Sequence, residues 1–187
     1  MRSRSALCCV LLFLLPGLLG SSARAQGRIR ALRAGVEGDQ VLVSFRLDGG
    51  IDRRLLERID TGLPTQIVYE LELARDRKRW YDQGLERNTL EITAKYDAVA
   101  RETNLHYRLG GELIESKTVR DRPALLDALR KIERVPVFRL QGLTPGVRYL
   151  VLARAILGSR MVLAIIPTDI RTDWAESNKF RPPAGPS

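Results

Sequence analysis

The chain has 187 residues and a net charge of +9, from 31 lysines and arginines against 22 aspartates and glutamates. With one histidine and two cysteines, it lacks the several imidazole or thiolate ligands that zinc and copper sites require, so we expect no metal site and no cofactor. Charges of both signs are interspersed, which argues against the gathered basic face of a nucleic-acid-binding protein.

The first residues have the parts of an export signal. A short basic start is followed by a leucine-rich apolar stretch over residues 6–20, and residues 23–25 form the Ala-Arg-Ala pattern that a signal peptidase cleaves. The stretch is shorter than the roughly 20 residues of a transmembrane helix. We expect residues 1–25 to be a cleaved signal peptide and the protein to be periplasmic or secreted. A retained membrane anchor is the alternative.

Cleavage would remove both cysteines, Cys8 and Cys9. The mature chain would then form no disulfide and offer no thiol nucleophile. Its length suits one domain, which we place at residues 26–180. The proline-rich residues 181–187 predict a disordered tail.

Alternation of apolar and polar residues predicts β-strands along most of the chain. The clearest strands are residues 41–47, 67–73, 90–96 and 105–109, and weaker candidates are 29–36, 112–119 and 135–140. Both faces become apolar at 149–157 and 161–166, which predicts two central strands joined by a hairpin at Gly158 and Ser159. The pattern indicates an all-β fold, a mainly antiparallel β-sandwich of immunoglobulin or fibronectin type III character.

Two short segments predict helices instead. Asp52 can cap the first helix, which Gly62 ends, and Asp121 can cap the second, with Pro123 in its first turn. The apolar face of the first helix is Leu55, Leu56 and Ile59. That of the second is Leu125, Leu126, Leu129 and Ile132. We expect both helices to cover a sheet edge or an end of the sandwich.

Residues 143–149, Leu-Thr-Pro-Gly-Val-Arg-Tyr, are the most specific local motif. They resemble the entry to strand F of fibronectin type III domains, where a tyrosine hydroxyl bonds back to the corner backbone. The bond is useful because such a corner leaves backbone groups unpaired under a buried ring. An ordinary turn before an ordinary strand is the alternative.

A wider resemblance covers most of the mature chain. It is carried by Gly62, Leu63 and Pro64, the strand 69–73, Arg75, Arg77, Trp80, Tyr81 and Asp82. Further matches are Tyr107, the helix 125–129, Tyr149, Arg154 and the ending Asp-Trp-Ala-Glu-Ser-Asn-Lys-Phe at residues 173–180. In these features the chain resembles the bacterial envelope family called domain of unknown function 4390. It departs from that family at residues 157–161, where the resemblance implies a Leu-Asp turn and a proline-rich strand start.

The resemblance implies an exported protein with no assigned activity. Genes of that family lie near genes of two-component sensor kinases, so the resemblance also implies an envelope signalling partner.

The candidate catalytic groups are few. His106 lies between strand residues, and we expect it on the solvent face. A Ser-His-Asp arrangement is formally possible, but the chain has no nucleophile-elbow sequence for this histidine to activate. Glu70 and Glu72 share one face of a strand and could form the carboxylate pair of a glycoside hydrolase. Their simpler role is to keep that outer face wet. We therefore expect no catalytic site, and a carboxylate-dependent hydrolase is the least favoured interpretation.

The best functional candidate is the basic-aromatic segment, residues 75–82. Its candidate contact residues are Arg75, Arg77, Arg79, Trp80, Tyr81 and Asp82. Arginine, tryptophan and tyrosine are enriched at interface hot spots and also suit lipid headgroups. The alternative is a solvated hairpin in which Trp80 packs into the core and the arginines pair with neighbouring acids.

These observations favour a non-enzymatic interaction protein of the cell envelope whose partner is another envelope protein. A peripheral binder of anionic membrane lipid or envelope polymer is the second hypothesis, and it predicts affinity that falls as salt rises.

Overall fold

The computed structural model describes residues 27–76, 84–162 and 166–183, which form ten strands and two helices. The first half contains β1 (Arg28–Glu37), β2 (Gln40–Asp48), α1 (Arg53–Asp60), β3 (Thr65–Arg75), β4 (Glu86–Asp97) and β5 (Glu102–Leu109). The second half contains β6 (Glu112–Val119), α2 (Arg122–Arg130), β7 (Lys131–Arg139), β8 (Tyr149–Val162), β9 (Ile166–Arg171) and β10 (Ala175–Glu176). The predicted signal peptide lies outside the described residues.

The strands form two antiparallel sheets. The smaller sheet has the order β1-β2-β7, and the larger has the order β10-β8-β3-β4-β5-β6, with β9 also paired to β8. Within the described residues, no helix has the length and apolar character needed to cross a membrane. The expected all-β fold, a mainly antiparallel sandwich with two short helices, is confirmed.

The core lies between the sheets and follows from the period-2 pattern of the strands. In β2 the buried positions are Val41, Val43, Phe45 and Leu47, and in β3 they include Ile67, Tyr69, Leu71 and Leu73. The rings of Phe45 and Tyr69 meet edge to face across the two sheets, with centroids 4.9 Å apart. The residues of β3 that lie between these buried ones, such as Glu70 and Glu72, point to the outer face of the larger sheet. That face carries most of the features described below.

Both predicted helix caps are present. The amide of Leu55 donates to Oδ1 of Asp52 over 2.9 Å, and the amide of Ala124 donates to Oδ1 of Asp121 over 2.7 Å. The second helix is shorter than predicted, however. It ends at Arg130, and Ile132 is a buried residue of β7. The spacing of Ile132 matches the apolar face of the helix, but this residue is buried as part of a strand.

The end of α2 is tied to the larger sheet by two tyrosines. The hydroxyl of Tyr69 donates to the carbonyl of Leu129 over 2.7 Å, and the hydroxyl of Tyr107 donates to that of Ala128 over 3.0 Å. The last carbonyls of a helix have no partner within it, so both bonds satisfy groups that would otherwise be orphaned.

The predicted tyrosine corner is also confirmed. The amide of Thr144 donates to the hydroxyl of Tyr149 over 2.9 Å, while the Tyr149 ring is buried. This corner is the local feature from which the resemblance to fibronectin type III domains was predicted.

The predicted hairpin at Gly158 and Ser159 is wrong. β8 continues through these residues to Val162, which pairs with Ile166 of β9. The ladder is irregular between Ile156 and Ser159, and Gly158 has a φ of 126°, which a glycine adopts without the steric cost met by other residues. Gly158 therefore marks an irregularity within a long strand.

The C-terminal segment, residues 172–180, runs along β8 and holds it partly through side chains. The amide of Ala155 donates to the hydroxyl of Thr172, and the amide of Val151 donates to that of Ser177, each over 2.9 Å. Asn178 then bonds both the amide and the carbonyl of Ala34 in β1, again over 2.9 Å each. The segment thus joins the larger sheet to the smaller one.

Candidate functional site

The structure places the beginning of the basic-aromatic segment. Arg75 is the last residue of β3, is partly buried, and lies opposite Tyr149 in the ladder between β3 and β8. Arg77, Arg79, Trp80, Tyr81 and Asp82 lie outside the described residues. The flanks of the undescribed part, Asp76 and Gly84, are both placed, and each makes a specific contact.

Asp76 fixes the first flank. Its amide donates to the carbonyl of Arg148 over 2.9 Å, which extends the ladder one residue past β3. Its carboxylate lies between two cations, with Oδ1 at 2.8 Å from Nζ of Lys179 and Oδ2 at 3.0 Å from Nε of Arg148. Only 11% of the Asp76 side chain is exposed. One carboxylate therefore connects the end of β3, the start of β8 and the C-terminal segment.

The charge state of Asp76 follows from these contacts. The hydrogen bond from Lys179, together with the positive charges of Lys179 and Arg148, holds the pKa of Asp76 below its usual range, although partial desolvation acts in the opposite direction. The carboxylate is consequently ionised at neutral pH.

A shallow open pocket of about 390 Å³ lies beside this carboxylate, lined by Arg148, Lys179, Phe180 and Arg181. We call these four residues and Asp76 the basic corner. Phe180 is mostly buried and packs against Tyr149, with ring centroids 6.2 Å apart, so the floor of the pocket is anchored in the core. The basic corner contains three cations and one carboxylate, and it therefore carries a net positive charge.

Gly84 fixes the second flank against Glu72. A Cβ atom at Gly84 would lie 2.0 Å from Oε1 of Glu72, so the chain passes directly over this carboxylate. Oε2 of Glu72 accepts a hydrogen bond of 3.0 Å from Nε of Arg87 in β4, and Glu72 is only 7% exposed. The expectation that Glu72 keeps the outer face of β3 wet is wrong, because the returning chain covers it.

Glu70, two residues earlier, belongs to a different cluster on the same face. It pairs with Nε of Arg154 in β8, whose guanidinium carbon lies 4.4 Å from the ring centroid of Trp174. This cation–π arrangement leaves Trp174 40% exposed. Arginines from neighbouring strands therefore engage both Glu70 and Glu72, an arrangement that does not leave them as a free acid–base pair.

His106 lies on the exposed face of β5, as predicted. Its Nδ1 is 3.1 Å from the hydroxyl of Ser116 in β6. The contact is a cross-strand pair on a solvated surface, and it involves neither Glu70 nor Glu72.

Sequence reasoning missed the basic corner and the Arg154–Trp174 pair. Arg148, Lys179 and Trp174 had each been noticed within a motif, but the contacts between them join residues that are far apart in the chain. The available signal was the ending at residues 173–180, which the family resemblance had already singled out, although no local pattern connects it to Arg148 or Arg154.

Comparison with known proteins supports the family. The family described as Domain of unknown function (DUF4390) matches residues 24–161, which is more than half of the chain. No curated protein and no solved structure matches the chain. The matched region includes nearly all of both sheets, and the chain belongs to the DUF4390 family.

Proposed function

We propose that this protein is an exported, non-enzymatic interaction module of the cell envelope, and that it binds a partner protein through the basic-aromatic segment and the basic corner. The observation that carries the proposal is the anchoring of Asp76 by Arg148 and Lys179. This anchor holds the first flank of the segment beside the pocket. Two features that are distant in the sequence would thereby form one surface.

The composition of this surface favours an acidic partner. The pocket residues Arg148, Lys179 and Arg181 outnumber the single carboxylate of Asp76. The segment adds Arg75, Arg77 and Arg79 in sequence. Complementary charge raises the rate of encounter and selects the partner, while aromatic residues supply contact area.

The shape of the pocket also favours a macromolecule. It is open and shallow, whereas a site for a small molecule is usually a concave cavity that buries most of its ligand. An acidic side chain or a short acidic loop of a partner would fit such a surface. A role in envelope signalling is consistent with this type of contact.

Photo-crosslinking in cells tests the proposal. A photoreactive residue at position 81, within the basic-aromatic segment, should attach one recurrent protein, to be identified by mass spectrometry. Arg77→Gln and Arg181→Gln should each reduce that crosslink. Arg181 is chosen because its loss leaves both ion pairs of Asp76 in place.

A matched control is Arg53→Gln. Arg53 also carries one exposed positive charge, but it lies in α1, next to the other end of β3. The crosslink should survive this change. A recurrent protein crosslink that is insensitive to Arg77 and Arg181 would contradict the proposed surface, and so would no crosslink from a folded protein.

The second candidate, a peripheral binder of anionic lipid or envelope polymer, is favoured by the same positive charge. It differs in two readouts. Crosslinks would go to lipid or polymer only, and binding to vesicles that contain anionic lipid would weaken steeply between low and high salt. Salt-insensitive association would count against it.

A further inference from the structure

The opposite edge of the larger sheet has a different character. β6 is the terminal strand of that sheet and pairs on one side with β5. Nearly all of its residues are exposed, including two adjacent aliphatic side chains, Leu113 at 55% and Ile114 at 44%. The second backbone edge of β6 has no strand partner among the described residues, so its amides and carbonyls can accept another strand.

The sequence of β6 restricts pairing at this edge but does not block it. It contains no proline, which is a common way to block a sheet edge. The pairing of β6 with β5 has one irregularity. Tyr107 pairs with Glu115 and the next residue, Arg108, pairs with Leu113, so Ile114 has no partner residue in β5. The regular part of β6 therefore runs from Glu115 to its end at Val119.

The charges of β6 restrict which strand could pair there. Glu115 and Lys117 lie on the same face of the strand, with Oε1 and Nζ 3.8 Å apart. An incoming strand is accepted most readily if it places a cation opposite Glu115 and an anion opposite Lys117, since directly opposed residues on paired strands interact closely. A second β6, running antiparallel, does this in one register.

The register follows from symmetry. In an antiparallel pair related by a two-fold axis, opposed side chains share a face, so the axis passes beside one residue and its own copy. An axis at Ser116 places Glu115 opposite Lys117 twice. An axis at Glu115 or at Lys117 places two like charges opposite each other.

We propose that two copies of this chain associate through their β6 strands, antiparallel and centred on Ser116, to form one continuous sheet across the dimer. The partner is a second copy because β6 is complementary to itself in charge. β6 and the basic corner lie toward opposite edges of the sheet, since the β10 edge adjoins the C-terminal segment. The dimer therefore leaves the proposed partner surface free and does not depend on it.

A charge-exchange experiment tests the register. Sedimentation equilibrium of the purified chain should give a dimer, whereas Lys117→Glu and Glu115→Lys should each give a monomer at the same concentration. An equimolar mixture of the two single variants should form a heterodimer, because every opposed pair again has opposite charges. The double variant, with both exchanges in one chain, should recover the homodimer.

Each outcome supports or overturns the proposal. A wild-type chain that stays monomeric over the whole concentration range overturns it. Single variants that dimerise as well as wild type, or a mixture in which no heterodimer forms, overturn the Ser116 register and with it the proposal. Both charges are solvent-exposed, and circular dichroism should confirm that the variants remain folded. Loss of the crosslink from position 81 bears on the proposed function only.

Discussion

The hydroxyl of Tyr69 and the carbonyl of Leu129 form a buried hydrogen bond of 2.7 Å that joins the larger sheet to the last turn of α2. Tyr69 and Leu129 are both fully buried, and burial raises the pKa of Tyr69 far above the physiological range. The phenol is therefore neutral and available as a donor at physiological pH.

Tyr69→Phe should lower the free energy of unfolding by about 1–3 kcal/mol, because it leaves the buried carbonyl of Leu129 unsatisfied. Tyr107→Phe is the matched variant, since its hydroxyl bonds the neighbouring carbonyl of Ala128 from a less buried position. Urea denaturation should show a smaller loss for Tyr107→Phe. Equal losses would mean that burial does not determine the strength of these two bonds.

The pairing of Asp76 predicts a dependence of stability on pH. Because the pKa of Asp76 is lowered in the folded protein, its contribution is fully present above the pKa of an unfolded aspartate, about 3.9, and is lost as the pH falls through the folded value. Asp76→Asn should therefore be less stable than wild type at pH 7. The difference should decrease below about pH 4.

Lys179→Gln serves as the partial variant for this prediction. It removes one partner of Asp76 and leaves the ion pair of Oδ2 with Arg148. Its loss of stability at pH 7 should be smaller than that of Asp76→Asn. Thermal unfolding between pH 3 and pH 7 measures both effects, and a difference that stays constant over this range would contradict the assigned titration.

Contacts of different range were predictable to different degrees. Asp52, Asp121 and Tyr149 were assigned correctly because each bonds a backbone amide at most five residues away. Alternation identified β2, β3 and β4 because each buries one face. The two pairs of Asp76 were not predictable, since Lys179 follows 103 residues later and no local pattern connects them.

The errors have local causes. The apolar stripe of α2 continued into Ile132, although the backbone had already changed to a strand. Gly158 and Ser159 resembled a hairpin, but β8 continues through both residues, because a glycine also accommodates an irregular strand. Glu72 had the polarity of a solvent-facing residue, and only the position of Gly84 shows that it is covered.

The contact between Gly84 and Glu72 predicts a coupled pair of mutations. Gly84→Ala should destabilise the protein by about 1 kcal/mol or more, because the new Cβ displaces the Glu72 carboxylate from Arg87. In a Glu72→Ala background the same change should cost much less. A double-mutant cycle by denaturant unfolding measures the coupling, and additive effects would show that the chain at Gly84 moves away instead.

Asn178 predicts local release of the C-terminal segment. Asn178→Ala removes both bonds to Ala34 and should cost about 1–3 kcal/mol. Limited trypsin digestion should then cut more rapidly after Lys179, which the segment presents near its end. Asn178→Asp retains an acceptor for the Ala34 amide but places a second acceptor opposite the Ala34 carbonyl. Trypsin should therefore also cleave this variant faster than wild type. Unchanged cleavage in both variants would show that other contacts hold the segment.

The bonds between Asn178 and Ala34 span 144 residues, nearly the whole described chain. Because synthesis proceeds from the N-terminus, Ala34 of β1 is made early, whereas Asn178 is added only after most of the other residues. A chain that ends before residue 178 cannot join the two sheets at this point. Until Asn178 is made, the amide and the carbonyl of Ala34 lack these two partners, so this join between the sheets is among the last contacts that a growing chain can form.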